Sequence, residues 1–83
     1  MSEHEEAALD IVKVYPGRDG QYRWQRRSAG NHRNIANNGE GHHDDVDHTE
    51  EMARRVNRPP FLLVVTERVE GRSVVKRREI VTD

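Results

Sequence analysis

Residues 61–65 constrain the fold more than any other part of this chain of 83 residues. All five are apolar, and the preceding Pro59-Pro60 pair argues against a helix, so the run predicts a strand. Successive side chains of a strand point to opposite faces, which makes both faces of this strand apolar. A small sheet with one helix covers only one face. The other face therefore needs a second layer, which the N-terminal part of the chain or a second chain could supply.

Two alternating segments near the N-terminus, residues 10–15 and 21–27, predict a β-hairpin. They flank residues 16–20, where proline and an Asp-Gly pair are typical of a turn. Alternation in the second segment places Tyr22 and Trp24 on one face, and Gln21, Arg23, Gln25 and Arg27 on the other. We therefore expect Tyr22 and Trp24 to lie in the core.

A short third strand is predicted at residues 33–37, and one helix at about residues 46–58. The helix signal rests on Asp47 as N-cap, with Glu50 three residues later as in a capping box. Acidic residues follow in the first turn and arginines lie toward the end, as the helix dipole favours. The Pro59-Pro60 pair ends the helix.

Residues 61–82 predict a second hairpin, whose register depends on the position of its turn. With Gly71-Arg72 as the two-residue loop, apolar residues oppose apolar residues and Glu67 opposes Lys76. This register also places glycine first, as a type II′ turn requires. The alternative loop, Glu70-Gly71, opposes apolar and charged residues. We therefore predict the first register.

The fold class predicted from these elements is α+β: an antiparallel sheet of two hairpins plus a short strand, with one helix packed across it. We expect residues 1–9 to form a disordered acidic tail and residues 10–83 to form a single domain. Within that domain, residues 10–58 hold the first hairpin, the strand and the helix. The composition, 33% hydrophobic and 35% charged, leans toward disorder, but the alternating runs argue for folded strands.

Charge and composition argue against a membrane-spanning protein and against a secreted one. The net charge is −1, with acidic blocks at residues 1–10 and 38–51 and basic blocks at residues 11–37 and 52–83. The chain has no cysteine and no apolar run long enough to span a membrane. Its acidic start is unlike a secretory signal, so we expect a cytoplasmic protein. The preference for arginine over lysine is typical of a high-GC bacterium or one of its phages.

Three short motifs in residues 14–56 point to a family. They are Tyr15 with Asp19-Gly20-Gln21-Tyr22-Arg23-Trp24, residues 31–36, and Asn38-Gly39-Glu40-Gly41-His42. Together they resemble the opening hairpin, the aliphatic strand and the loop before the helix of the YegP-like family, small bacterial domains of unknown function. The chain departs from that pattern where Gly30 precedes Asn31 and where His42 stands in place of a common tyrosine. The resemblance implies a sheet with one helix, often doubled by repeat or dimerisation, and no catalytic residues.

A metal site and an enzyme site are both disfavoured. The cluster His42-His43-Asp44-Asp45 with Asp47-His48 carries zinc-ligand side chains, but its adjacent residues point apart. We expect a polar loop that caps the helix, without a metal. Neither serine, Ser28 or Ser73, lies in a nucleophile motif, and no Gly-Lys-Ser/Thr follows the glycine-rich loop at residues 38–41. We therefore expect no enzyme and no cofactor.

The predicted function is protein–protein interaction, as a small adaptor or inhibitor. The partner is expected to be a second copy of the chain, in a homodimer, or a host protein. The predicted partner-binding residues lie on the apolar strand and its hairpin partner: Leu62, Val64, Thr66, Arg77 and Val81.

The alternative function is nucleic-acid binding by an arginine-rich sheet face. The residues predicted for it are Arg23, Arg27 and Arg33. Two observations weigh against it: alternation separates the neighbouring aromatic rings from these arginines, and the net charge is slightly acidic.

Overall fold

The fold was established in a computed structural model, which describes residues 9–30, 34–37 and 45–82. Over these residues the protein is α+β. Its elements, in chain order, are β1 (Asp10–Pro16), β2 (Tyr22–Arg27), β3 (Asn34–Asn37), α1 (Val46–Val56), β4 (Phe61–Val69) and β5 (Arg72–Val81). The predicted acidic tail lies, except for Leu9, outside the described residues.

The strands form a five-stranded sheet in the order β3-β2-β1-β4-β5. Both predicted hairpins are present, since β1 pairs antiparallel with β2 and β4 pairs antiparallel with β5. The sheet is mixed, however, because β4 lies parallel to β1 at its centre. The prediction of a wholly antiparallel sheet is therefore wrong. The connection from β1 to its parallel neighbour β4 runs through β2, β3 and α1, since parallel strands need a long crossover connection.

Helix α1 falls within the predicted range of residues 46–58. Its N-cap is Asp45 and not Asp47, because the Asp45 side chain accepts a hydrogen bond from the backbone N–H of Asp47 at 2.9 Å. The earlier start places Val46 in the core, where it is buried. At the other end, the side chain of Asn57 donates to the carbonyl of Ala53 at 2.8 Å.

The core lies between α1 and one face of the sheet, which we call the helix side. Its buried apolar residues come from three neighbouring strands and the helix: Val12, Val14, Tyr22, Trp24, Val46, Ala53, Phe61, Leu63 and Val65. The prediction that Tyr22 and Trp24 are core residues is thus confirmed. The Tyr22 hydroxyl also accepts a hydrogen bond from the backbone N–H of Arg68 at 2.9 Å, which ties the two hairpins together.

The second hairpin turns one residue earlier than predicted. Val69 opposes Arg72, so Glu70-Gly71 is the loop and the predicted Gly71-Arg72 loop is wrong. Both loop residues have positive φ, 51° and 79°, as a type I′ turn requires, and this turn matches the twist of the strands. Pairing shifts again between Val65 and Thr66, where β5 carries one extra residue.

Candidate functional site

The second face of the sheet carries no helix among the described residues, and we call it the open face. Alternation within each strand and the pairing between strands decide which side chains lie on it. These residues are Ile11, Lys13, Tyr15, Arg23, Gln25, Arg27, Leu62, Val64, Thr66, Arg68, Ser73, Val75, Arg78 and Ile80.

An apolar row crosses the middle of the open face. Ile11 on β1 is paired with Leu62 on β4, and Leu62 is paired in turn with Ile80 on β5. Ile80 remains 56% exposed, while Ile11 and Leu62 are half-buried. Strands lie about 4.8 Å apart, so the row spans roughly 10 Å. Val64 lies in the next row and widens this apolar strip.

Three cations surround the apolar row. Arg27 is paired with Ile11, while Lys13 and Arg78 flank Val64 on its two neighbouring strands. None of the three forms an ion pair with a residue in the described ranges. Arg27 instead donates to the side-chain amide oxygen of Gln25, at 3.1 and 3.3 Å, in the amide orientation that satisfies both groups.

Another cation of the face, Arg23, is held by the first turn. Its guanidinium donates to both carboxylate oxygens of Asp19, at 2.9 and 3.0 Å. This bond, with a backbone N–H from Gln21, lowers the pKa of Asp19 to about 2. Arg23 is therefore partly neutralised, and Arg27, Lys13 and Arg78 carry the positive charge around the apolar row, with Arg68 nearer the tip of the second hairpin.

The carboxylates of β1, α1 and β5 lie on the helix side of the sheet and not on the open face. Asp10 binds Arg26 at 2.9 Å on the helix side. Glu50 and Glu79, on α1 and β5, bind Arg54 at 2.9 and 2.7 Å. No acidic side chain occupies a position of the open face among the residues that the structure describes. The two sides of the sheet thus differ in charge: the helix side pairs its ions, and the open face presents cations around an aliphatic strip.

The structure divides the residues predicted to bind a partner. Leu62, Val64 and Thr66 lie together on the open face. Arg77 and Val81 lie on the helix side, where Arg77 Nε is 3.0 Å from Glu50 Oε2 and Val81 packs against the core.

The residues of β5 that share the open face are Ser73, Val75, Arg78 and Ile80, and the sequence prediction missed all of them. A register slip of one residue moves a strand's side chains to the opposite face. The bulge between Val65 and Thr66 causes that slip, because without it either position of the loop would place Arg77, and not Arg78, on the open face. The positive-φ preference of the turn residues could have revealed the correct loop from sequence, but not the bulge that sets the register at Arg78 and Ile80.

The residues predicted for nucleic-acid binding are also divided. Arg23 and Arg27 share the open face, and Arg33 lies outside the described residues. The rings of Tyr22 and Trp24 are buried on the other side. Tyr15 is the one aromatic side chain among the open-face positions, and its ring centroid lies 6.0 Å from Lys13 Nζ.

The histidine cluster is only partly described, since His42, His43 and Asp44 lie outside the described ranges. Of its remaining carboxylates, Asp45 caps α1 and Asp47 pairs with Lys76. Among the residues the structure describes, no group of three or more potential ligands could hold a metal ion. Within the same residues, no helix is long and apolar enough to cross a membrane.

Comparison with known proteins gives no match to this chain among family models, curated proteins or solved structures. The resemblance to the YegP-like family therefore stays a prediction. The functional argument rests on the geometry of the open face.

Proposed function

We propose that this chain is a small non-enzymatic protein–protein interaction module that binds its partner through the open face. The observation that carries the proposal is the row of Ile11, Leu62 and Ile80, which crosses three strands of the sheet on the face that no described helix covers. Aliphatic side chains at a central strand are normally covered by a second layer. A contiguous apolar strip with polar neighbours is typical of a protein-binding surface. An adaptor or an inhibitor needs no more than such a surface.

The β5 edge of the sheet favours binding to the open face over strand addition at that edge. An exposed edge strand can pair with another chain, and proteins block this with charged side chains and bulges. Strand β5 has both, since Lys76, Arg77 and Arg78 follow one another and the pairing with β4 is bulged between Val65 and Thr66. A partner is therefore directed away from strand addition and toward the open face.

The charge of the open face argues against a second copy as the partner. A face-to-face homodimer would bring the cations Lys13, Arg27 and Arg78 close to the same cations of the other chain. Like charges that face each other across an interface oppose binding. We therefore propose a different protein as the partner, in preference to the homodimer expected from the sequence.

Nucleic-acid binding is the second candidate, and the cations of the open face support it. Single-stranded nucleic acid is usually held by aromatic side chains on which bases stack. The open face offers Tyr15 alone, whereas its centre is aliphatic. Protein binding therefore accounts for more of the face.

A matched pair of substitutions tests the proposal. Val64→Asp introduces a carboxylate into the open face, and Val56→Asp makes the same change at a residue of α1 that is 54% exposed. Proteins captured from host lysate by the full chain would be compared with those captured by each variant, using quantitative mass spectrometry. We expect Val64→Asp to lose the specific partner and Val56→Asp to keep it, with both variants folded by circular dichroism. Equal capture by the parent and Val64→Asp would overturn the proposal.

A further inference from the structure

The open face has a chemical character that narrows the class of partner, if the proposed function is right. Its charged side chains are all cationic, and three of them, Lys13, Arg27 and Arg78, have no ion-pair partner in the described part of the chain. Its centre is aliphatic. A complementary surface must therefore supply both carboxylates and aliphatic side chains.

The positions of the cations fix how those groups must be arranged. Arg27 lies at one end of the row that continues through Ile11 and Leu62 to Ile80. Lys13 and Arg78 lie in the adjacent row, two strands apart and thus roughly 10 Å from each other at their backbones. Long cationic side chains can lay their stems along apolar surface while their charges reach outward. Carboxylates on both sides of a central Leu or Ile would meet these charges.

Other occupants fit less well. Bases of a nucleic acid need aromatic stacking partners, and Ile11, Leu62, Val64 and Ile80 are aliphatic. A second copy of this face would place cations against cations. An acidic segment with aliphatic residues satisfies both the charge and the apolar strip.

We propose that the open face binds an acidic peptide segment of its partner protein, in which Asp or Glu residues flank Leu or Ile. The aliphatic side chains pack on the row of Ile11, Leu62 and Ile80. The carboxylates pair with Lys13, Arg27 and Arg78. Attraction between unlike charges speeds encounter and fixes the register of the bound segment.

The test uses the full chain and three synthetic probes: a short peptide of Glu and Leu, its counterpart of Gln and Leu, and oligothymidylate. Binding is followed by fluorescence anisotropy at low and moderate salt. The Glu-Leu peptide is expected to bind about tenfold more tightly than the Gln-Leu peptide, with an advantage that shrinks as salt rises. Equal affinity for both peptides would overturn the proposal, and so would tighter binding of oligothymidylate.

Two charge reversals locate the binding surface. Arg78→Glu changes a cation of the open face, and Arg55→Glu changes an exposed cation of α1 that pairs with Glu51 at 3.2 Å. We expect Arg78→Glu to lower the affinity for the Glu-Leu peptide about tenfold. Arg55→Glu should change that affinity by less than about twofold. Arg78→Glu should also gain affinity for a Lys-Leu peptide, which a merely structural role would not produce. Equal weakening by both variants would contradict the proposed surface.

The chain's own acidic segment is one further occupant to test. The triple variant Glu3→Gln, Glu5→Gln and Glu6→Gln should bind the Glu-Leu peptide as the parent does. If only the triple variant bound it, the segment would occupy the face itself and the proposal of an acidic partner would fall. Failure of this inference is separable from failure of the proposed function. A partner lost on Val64→Asp without any binding of acidic peptides would leave a protein-binding face of different chemistry.

Discussion

The guanidinium of Arg54 on α1 donates two hydrogen bonds to the carboxylate of Glu79 on β5, at 2.7 and 3.1 Å. Arg54 also donates to Glu50 at 2.9 and 3.1 Å, and Arg77 lies 3.0 Å from the same Glu50 carboxylate. These hydrogen bonds raise the pKa of Arg54 and lower the pKa of Glu79. The edge strand is thus attached to the helix by ions, which leaves its aliphatic Ile80 on the open face.

This ion cluster predicts a difference between two adjacent glutamates. Glu50 is largely buried, accepts hydrogen bonds from Arg54 and forms an ion pair with Arg77, so Glu50→Ala should lower the free energy of unfolding by about 1–2 kcal/mol. Glu51 is exposed and pairs only with Arg55 among the described residues, so Glu51→Ala should cost less than about 0.5 kcal/mol. Urea denaturation of both variants measures this. Equal costs would show that the cluster does not hold β5.

The pair of Asp19 and Arg23 predicts a titration at low pH. Asp19 has its pKa lowered from 3.8 to about 2, first by the side-chain hydrogen bond from Arg23. Because the native pKa is depressed, the pair's stabilisation is full above pH 3.8 and is lost as the pH falls toward about 2. NMR titration of the Asp19 carboxyl should show this midpoint. Arg23→Gln should return the pKa toward 3.8. A parent midpoint near 3.8 would mean that the bond does not persist in solution.

Trp24 is predicted to be essential for stability. It is only 9% exposed and lies in the core beneath α1. Trp24→Ala should cost about 3–5 kcal/mol, as truncation of a buried aromatic residue does, and a domain of this size barely tolerates that. Ile80→Ala, at an exposed apolar residue, is the control and should cost less than about 1 kcal/mol. Thermal melting by circular dichroism checks both, and a Trp24→Ala variant that melts like the parent would refute the core assignment.

The turn of the second hairpin predicts a stabilising substitution. Glu70 has a φ of 51°, a conformation that asparagine tolerates better than glutamate, and Gly71 follows it at 79°. Glu70→Asn should therefore raise the free energy of unfolding by about 0.5–1 kcal/mol. Gly71→Ala should lower it by about 1 kcal/mol, because alanine is strained at this φ. If both changes left the melting temperature unaltered, the loop would lie elsewhere.

Local patterns predicted local structure well. The N-terminal acidic residues and the Pro-Pro stop located α1, and alternation placed Trp24 in the core. The parallel pairing of β1 with β4 was missed, since no local pattern records which strands become neighbours. The run of residues 61–65 was predicted as a strand, but its position in the sheet was not, and β4 is flanked by strands on both sides.

The sequence predicted the part of the candidate site on β4 but missed the part on β5, because strand pairing is not recorded in a local pattern. Leu62 and Val64 follow from alternation in β4 alone, whereas the contribution of β5 depends on register. The preference for pairing like residues favoured the wrong turn. The bulge between Val65 and Thr66 changes the register midway, so residues near the turn and residues far from it obey different pairings. A prediction that assumes regular pairing along the whole hairpin misses this change of register.

The central claim, that the open face is the binding surface, is tested most directly by NMR of the isotope-labelled full chain during titration with the Glu-Leu peptide. The account predicts chemical-shift changes concentrated at Ile11, Leu62, Val64 and Ile80, with the signals of Val56 on the far side of the molecule unmoved. Changes confined to α1 or to the tip of the second hairpin would contradict it.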